Sequence, residues 1–390
     1  MSERADQFRG YLAGVGEAIA VTIDVLDGRI RSMRYEPQAK ESEGESKIWI
    51  LPAVWDIQTN GRWEISFSDT HLTVQQVIQI VRAQPSLGTT RLLPTLITGS
   101  AEAFLHGVST IAAACESDTL VDRMIAGIHL EGPAISELDG YRGAHPAEHV
   151  RDWTFREYHA LQEASGNRIR LITLAPERTG SPEFIRTVTA EGVVVSLGHT
   201  AATDAEIAAA VAAGATLSTH LGNGIAAQLP RHPNPIWTQA AEDGLNASLI
   251  CDGHHLSPAI TRVLARAKGQ DRLILISDHS PLAGMPAGLY GPWAVDASGK
   301  IVVAGTPYLA GSNQDLPVGV ANLMKATGWD FATVAATITR NPARLLGQSL
   351  PELAIGDLWE GSIWAVDESV PGQPEIRVLE TWIAGEQFTA

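Results

Sequence analysis

Residues 193–200, VVVSLGHT, and 273–280, LILISDHS, are short apolar runs that each stop on an ionisable residue, His199 in the first and Asp278 in the second. Three more runs do the same. MIAGIHLEGP (124–133) reaches Glu131, ATLSTHL (215–221) reaches His220, and ASLICDGHH (247–255) reaches Asp252, His254 and His255. Short runs rich in Val, Ile and Leu between turn residues read as buried strands. A buried strand end cannot easily hold an ionisable group without a partner. Five such ends therefore predict one convergent polar site.

Three further runs, ILPAVWDIQ (50–58), TRLLPTLIT (90–98) and IRLITLAPE (169–177), complete eight strand candidates. Alanine-rich amphipathic segments lie between several of them, such as TVQQVIQIVRAQ (73–84), DAEIAAAVAAG (204–214) and SPAITRVLARAKG (257–269). Eight strand–helix units in sequence predict an α/β fold, a (β/α)8 barrel rather than an open sheet, here over residues 51–347. Such barrels place their active sites at the C-terminal ends of the strands, where these ionisable residues fall.

Both chain ends read differently. AIAVTIDVLDGRIRSM (18–33) carries Asp27-Gly28 between two strand-like pieces, a hairpin signal. DLWEGSIWAVDES (357–369) and EIRVLETWIAGE (375–386) are separated by the turn residues of VPGQPE (370–375). A small β-sandwich domain built from residues 1–50 and 348–390 is expected. The polar run QAKESEGESK (38–47) reads as a linker or exposed loop.

Composition narrows the function classes. The 390 residues are 45% hydrophobic and 18% charged, which suits a sizeable core and argues against disorder. A formal net charge of -16 repels phosphate polymers, so neither nucleic acid nor an anionic membrane is expected as partner. A small anion held by one or two arginines remains compatible. Two cysteines, Cys115 and Cys251, make no disulfide framework. No run approaches the ~18 apolar residues of a membrane helix, and MSERADQFRG lacks the apolar stretch of a signal peptide. A soluble cytoplasmic protein is expected.

A glutamate and two histidines with water in the fourth position make a sound catalytic metal site, so Glu131, His199 and His220 are the candidate ligands. One divalent ion is expected, Zn2+ first, with Fe2+ and Co2+ suited to the same donors. Asp278 could take a proton from a metal-activated water and deliver it to a leaving amine. His255 could hydrogen-bond a substrate carbonyl and stabilise the developing oxyanion. Asn223 and Gly224 with Arg231 offer N–H groups and a guanidinium fork, a plausible phosphate site. The spacing of His145 shows no role, and Asp252 could orient backbone or sugar hydroxyls. Taken singly, each of these residues also reads as a hydrogen-bonded core residue, a helix cap or part of a polar turn.

With these residues assembled, the chain resembles the N-acetylglucosamine-6-phosphate deacetylases of the amidohydrolase superfamily. DGRI (27–30), LPAVWDIQTNG (51–61), GTTRLLPTLIT (88–98), GIHLEGP (127–133) followed by GAH (143–145), LAPE (174–177), SLGHT (196–200), THLGNG (219–224), DGHH (252–255), SDHSPLAG (277–284), LAGS (309–312) and TRNPARLLG (339–347) occur in the family's order. The resemblance implies metal-dependent hydrolysis of the acetamide of an N-acetyl amino sugar 6-phosphate, with acetate released. It implies Glu131, His199 and His220 as metal ligands, Asp278 as catalytic aspartate and His255 as the residue polarising the acetyl carbonyl. His145 is similar to a sugar-contacting residue, and Asn223, Gly224 and Arg231 to the phosphate-binding loop. In the family that arginine can come from the neighbouring subunit, which implies a homodimer.

The chain departs from the pattern in places. The superfamily's first-strand His-x-His pair is Gln58-Thr59-Asn60, and amides are poor substitutes for imidazole, so one metal rather than two is expected. Gly222, His232 and His279 stand where the family usually has other residues, which leaves the sugar and its phosphate open. The rival readings are an amidohydrolase for another amide (an N-acyl-D-amino acid, a cyclic amide or an unphosphorylated acetamido sugar) and a barrel that binds an amino sugar without hydrolysing it.

Overall fold

The computed structural model describes residues 5–13, 19–36, 46–350 and 353–389. Ala18 and most of the polar run expected as a loop at 38–47 lie outside them. All eight strand candidates contribute to one parallel ring: Trp55–Thr59, Arg91–Ile97, Ile128–Glu131, Ile169–Leu174, Val194–Leu197, Leu217–Ser218, Asn246–Leu249 and Leu273–Leu275, adjacent in that order. The last strand meets the first through a parallel bridge between His279 and Thr59, and the Asp278 N–H donates to the Gln58 carbonyl at 3.0 Å. The ring is thereby a nearly closed (β/α)8 barrel.

Each strand is shorter than the apolar run that predicted it, and in the runs that reach His199, His220, His255 and Asp278 the last residues leave the strand and form the mouth. The first run is split: Lys47–Leu51 joins the small sheet and Trp55–Thr59 the barrel. Inside the ring Ile57, Leu93, Leu171, Leu217, Ile250, Ile274 and Ile276 form an apolar plug. His129 lies among hydroxyls, its Nδ1 3.3 Å from Thr95 Oγ1 and its Nε2 2.8 Å from Thr173 Oγ1. Burial pushes that imidazole down to about 4, so it is neutral.

The helices begin where the sequence supplies caps. Thr73 with Gln76 and Thr203 with Glu206 close capping boxes on helices Val74–Ala83 and Asp204–Ala213, and Ser257 caps Pro258–Lys268. Their apolar faces cover the outside of the ring with two large buried clusters. Among the described residues no helix is long and apolar enough to cross a membrane.

The two chain ends build one seven-stranded mixed sheet in the order Glu386–Thr389, Glu375–Ile383, Gly361–Asp367, Lys47–Leu51, Ala5–Leu12, Ile19–Leu26, Arg29–Glu36. Asp27 and Gly28 turn its hairpin with φ of 49° and 76°, the left-handed pair that a two-residue hairpin loop requires. Strands Glu375–Ile383 and Ala5–Leu12 are three strand spacings apart, about 14 Å in a flat sheet. Yet the rings of Phe8 and Trp382 lie 5.8 Å apart. The sheet therefore curls over its own core of Phe8, Val21, Ile23, Ile50, Trp359 and Ile363. Trp364 reaches the other way, with its ring 6.0 Å from Phe331 of the barrel's helical layer. Buried Glu360 pairs with Arg91 and Arg123 and ties the same two layers. The sequence reading did not anticipate a three-stranded antiparallel sheet, Gly288–Tyr290, Trp293–Val295 and Ile301–Val303, inserted after the last barrel strand.

Two measurements test this packing. Trp364 is fully buried, so Trp364→Ala is expected to cost about 3–5 kcal/mol, read as a lowered guanidinium midpoint. Burial pushes the thiols of Cys115 and Cys251 up to about 11 and about 12. Neither is expected to react with a disulfide reagent at pH 8 while the chain is folded, and both should react after denaturation.

Candidate active site

Three of the strand-end residues have a backbone that most side chains avoid. His199, His220 and Asp278 have φ of 50°, 29° and 48°, in or beside the left-handed region that costs non-glycine residues free energy. Hydrogen bonds hold them there. The His220 N–H donates to Ser248 Oγ at 2.8 Å, and the Ser312 N–H donates to the Asp278 carbonyl at 2.8 Å. These sharp turns direct the side chains over the barrel mouth, not along the strands.

Glu131, His199 and His220 meet there, each buried, with ligand-capable atoms all within 4.8 Å of one another. Glu131 Oε1 is 3.1 Å from His220 Nε2 and 3.3 Å from His199 Nε2, and the two Nε2 atoms are 3.2 Å apart. His199 Nδ1 lies 3.0 Å from the Tyr141 carbonyl oxygen, so Nδ1 bears the hydrogen and donates it. That leaves the Nε2 lone pair facing Glu131 and His220. Acceptors turned on one another in a buried place repel unless a proton or a cation lies among them. Two imidazole nitrogens and one carboxylate oxygen are also the donor set that a catalytic divalent metal takes, so the residues fit such an ion. Gly224 and Gly143 make room for the imidazole: a Cβ on either would lie 2.9 Å or 3.1 Å from a His199 ring atom.

The electrostatics follow from burial and neighbours. Burial alone would raise the Glu131 carboxyl, but His199 and His220 hold it well below the usual carboxylate range. His220 is raised because Glu131 outweighs the cost of burying its charge. Burial, and then the charge of Glu131, push Asp278 up to about 6. Burial and the nearby His199 push His145 down to about 3.

A cavity of about 250 Å³ opens above this cluster. Glu131, His145, His199, His220, Asn223, Gly224, His255 and Asp278 all line it, together with Asn60. Arg231 does not: it is exposed, off the cavity wall. None of the described residues lining the cavity is a lysine or an arginine.

The structure adds partners that the sequence left unassigned. Gln58 Nε2 donates to Glu131 Oε1 at 3.1 Å and lies 3.3 Å from Asp278 Oδ1, and Asn60 Nδ2 donates to the same Asp278 oxygen at 2.8 Å. Of the amides in place of the His-x-His pair, Gln58 thus bridges the two carboxylates and Asn60 holds the second. Asp252 Oδ1 accepts the N–H groups of His254 and His255, while its Oδ2 is 2.7 Å from His255 Nδ1. Although burial opposes it, His255 holds the Asp252 carboxyl below its ordinary value. The pair fixes the hydrogen of His255 on Nδ1 and turns Nε2 to the cavity. Of the readings open for Asp252, the geometry favours an orienting one. Trp293, Tyr308 and Leu309 also line the cavity, from segments whose sequence carries no periodic signal.

No family model matches the chain. The N-acetylglucosamine-6-phosphate deacetylase of Homo sapiens is 34% identical over 351 residues, 86% of this chain and 82% of that one. The N-acetylgalactosamine-6-phosphate deacetylase of Shewanella sp. (strain ANA-3) is 33% identical over 341 residues, 85% of this chain and 81% of that one. The crystal structure of N-acetyl-D-glucosamine-6-phosphate deacetylase from Mycobacterium smegmatis superposes with a TM-score of 0.83 at 28% identity, over 98% of this chain and 99% of that one. An aspartate-to-alanine variant of that enzyme, in complex with N-acetyl-D-glucosamine-6-phosphate, gives a TM-score of 0.82. On fold, strand-end chemistry and sequence together, the chain belongs to the N-acetylglucosamine-6-phosphate deacetylase family of the amidohydrolase superfamily, metal-dependent hydrolases of carbon–nitrogen bonds.

Proposed function

We propose that this chain removes the acetyl group of N-acetylglucosamine 6-phosphate, giving acetate and the amino sugar phosphate. What carries the reading is the convergence of Glu131, His199, His220, Asp278 and His255 on one cavity, in a chain whose relatives bear that activity in their names. N-acetylgalactosamine 6-phosphate is the second reading, favoured by the Shewanella relative at nearly the same identity.

In this reading Glu131, His199 and His220 hold one divalent ion, Zn2+ first, with Fe2+ or Co2+ suited to the same donors. Bound there, the ion supplies Lewis acidity to a water and to the acetyl carbonyl. Asp278, held by Asn60, accepts the proton of the attacking water and passes it to the departing amine. His255, its Nδ1–H held by Asp252, acts in its imidazolium form, whose Nε2–H donates to the carbonyl oxygen as negative charge develops and stays on the histidine throughout. His145 borders the sugar. The Asn223 amide and the Gly224 N–H take the phosphate.

Among the described residues, none that lines this cavity offers a phosphate a lysine or an arginine as cationic partner. We assign that part to Arg231 of a second copy, in a homodimer. Trp237, on the helix that follows Arg231 in sequence, and Ile260 and Val263, on the helix packed against it, are exposed apolar side chains that give such a copy a surface to cover. Free cysteines and a sugar phosphate substrate suit the cytoplasm.

Acetate release from both 6-phosphates and from unphosphorylated N-acetylglucosamine tests these assignments. Asp278→Asn is expected to lower kcat by roughly 10²–10⁴-fold with bound metal retained. His220→Ala should lose the metal itself, as read by elemental analysis. Arg231→Ala should raise KM for the phosphorylated sugar alone. Equal turnover of both sugar forms, indifferent to Arg231, would refute the phosphate assignment, and no release from any of them would refute the deacetylase reading.

A further inference from the structure

The histidine after Asp278 is buried, 2% exposed, and does not line the cavity. Its Nε2 lies 3.0 Å from Asp315 Oδ1. The Arg62 guanidinium donates to the same oxygen at 2.9 Å. Asp315 occupies the N-terminal cap of helix Leu316–Thr327, where an aspartate ordinarily accepts from the free N–H groups of the first turn. Its side chain makes no such bond and turns to His279 and Arg62 instead. Although burial opposes it, His279 and Arg62 hold the Asp315 carboxyl down at about 2.

These three side chains join the same three segments whose backbones bracket Asp278. The Asp278 N–H donates to the Gln58 carbonyl at 3.0 Å, the Asn60 N–H to the His279 carbonyl at 2.8 Å, and the Ser312 N–H to the Asp278 carbonyl at 2.8 Å. Arg62 follows Asn60 on the first segment, His279 belongs to the second, and Asp315 follows Ser312 on the third. A further clasp holds the first segment. Trp63 and Glu64 turn a hairpin with φ of 55° and 63°, and their N–H groups donate to the Ala283 and Pro281 carbonyls at 3.1 Å and 2.8 Å. The Arg62 guanidinium lies over the Trp63 ring at 5.3 Å. Two bulky residues in left-handed backbone persist only where the surroundings over-determine them.

We propose that His279, Asp315 and Arg62 are positioning residues that lock the ends of the first and last barrel strands together, so that Asn60 Nδ2 stays on the Asp278 carboxylate. The network touches neither the cavity nor the candidate metal ligands, and it acts on the reaction through the 2.8 Å bond from Asn60 to Asp278. The inference rests on the reading of Asp278 as the group that moves the proton.

The test uses the full chain loaded with metal and acetate release from N-acetylglucosamine 6-phosphate. His279→Ala and Asp315→Asn are expected to lower kcat by about 10- to 100-fold, the scale of an ångström's misplacement, with KM within about twofold and metal content unchanged. His279→Gln, which keeps a donor in reach of Asp315, should recover part of the loss. His279→Ala combined with Asn60→Ala should lose less than the product of the single effects, as sites acting through one contact do. In a crystal structure of His279→Ala, Asn60 Nδ2 and the Asp278 carboxylate should separate beyond about 3.5 Å. A parent-like kcat with only a lowered melting temperature overturns the proposal, as does a parent-like Asn60–Asp278 distance. If the parent releases no acetate, the functional reading fails, and the crystallographic distance still decides the positioning role.

Discussion

One carboxylate buried between two imidazole nitrogens, Glu131 at 3.1–3.3 Å from His220 and His199, sets the terms for the barrel mouth. In a site this dry, charge–charge energies are several times their value in water, so each neighbouring group is placed by the need to satisfy that carboxylate. Gln58 answers it with an amide hydrogen and His220 with a raised proton affinity. Asp278 gives the opposite response: burial and the negative Glu131 lift it to about 6. The two carboxyls of one site are thus driven apart, one towards permanent charge and one towards a proton it can exchange. On the proposed reading, that separation would let one site combine ion binding with acid–base work. On the same reading, a cation among the three donors would favour the ionised form of Asp278, the form that would accept a proton.

The geometry that makes this balance is strained, and the barrel supports the strain. Three of the converging residues sit at positive φ immediately beyond their strands. Were the strands free to slip, each turn would relax into an extended course and carry its side chain off the mouth. The ring prevents this because each strand is paired on both sides, and the last closes on the first through Thr59 and His279. Beneath, the apolar plug of Ile57, Leu93, Leu171 and Ile274 fixes the register from inside. The helical clusters and the curled sheet built from the two chain ends supply the burial that stabilises the whole.

Much of this was legible in the sequence because it depends on local periodicity. The eight strand runs, the amphipathic helical segments at 73–84, 204–214 and 257–269, and the Asp27-Gly28 hairpin all follow from short-range patterns. Of the ionisable residues at the strand ends, Glu131, His199, His220, His255 and Asp278 line one cavity, whereas Asp252, His254 and the loop residue Arg231 do not. What stayed hidden rests on contacts between distant residues or on segments without a period. Strand Ala5–Leu12 carries too many polar residues to alternate cleanly. The 288–303 sheet is three strands of three residues each, too short to show a period. Gln58 and Asn60 read as missing ligands because a sequence shows the absent imidazoles but not the Glu131 and Asp278 carboxylates that the amides hold. Asp252, only three residues from His255, was nearer to view, since an Asp-x-x-His spacing allows a side chain to reach back.

On the proposed reading, anion recognition is the remaining physical problem. A chain of net charge -16 would bind a sugar phosphate against its own field if long-range electrostatics decided the matter. Beyond a Debye length of about 8 Å at physiological salt they do not, so the phosphate is chosen by what touches it. The cavity wall offers His145, which burial holds neutral, and no lysine or arginine among the described residues. Attraction must then come from oriented dipoles, the Asn223 amide and the Gly224 N–H, and from a guanidinium brought in from outside. Dipoles alone discriminate weakly between a phosphate and a hydroxyl, since both accept hydrogen bonds, whereas a guanidinium prefers the dianion by its charge and its bidentate fork. On that reading, selectivity for the phosphorylated sugar would reside in the exposed segment that carries Arg231, and acetyl removal in the barrel mouth.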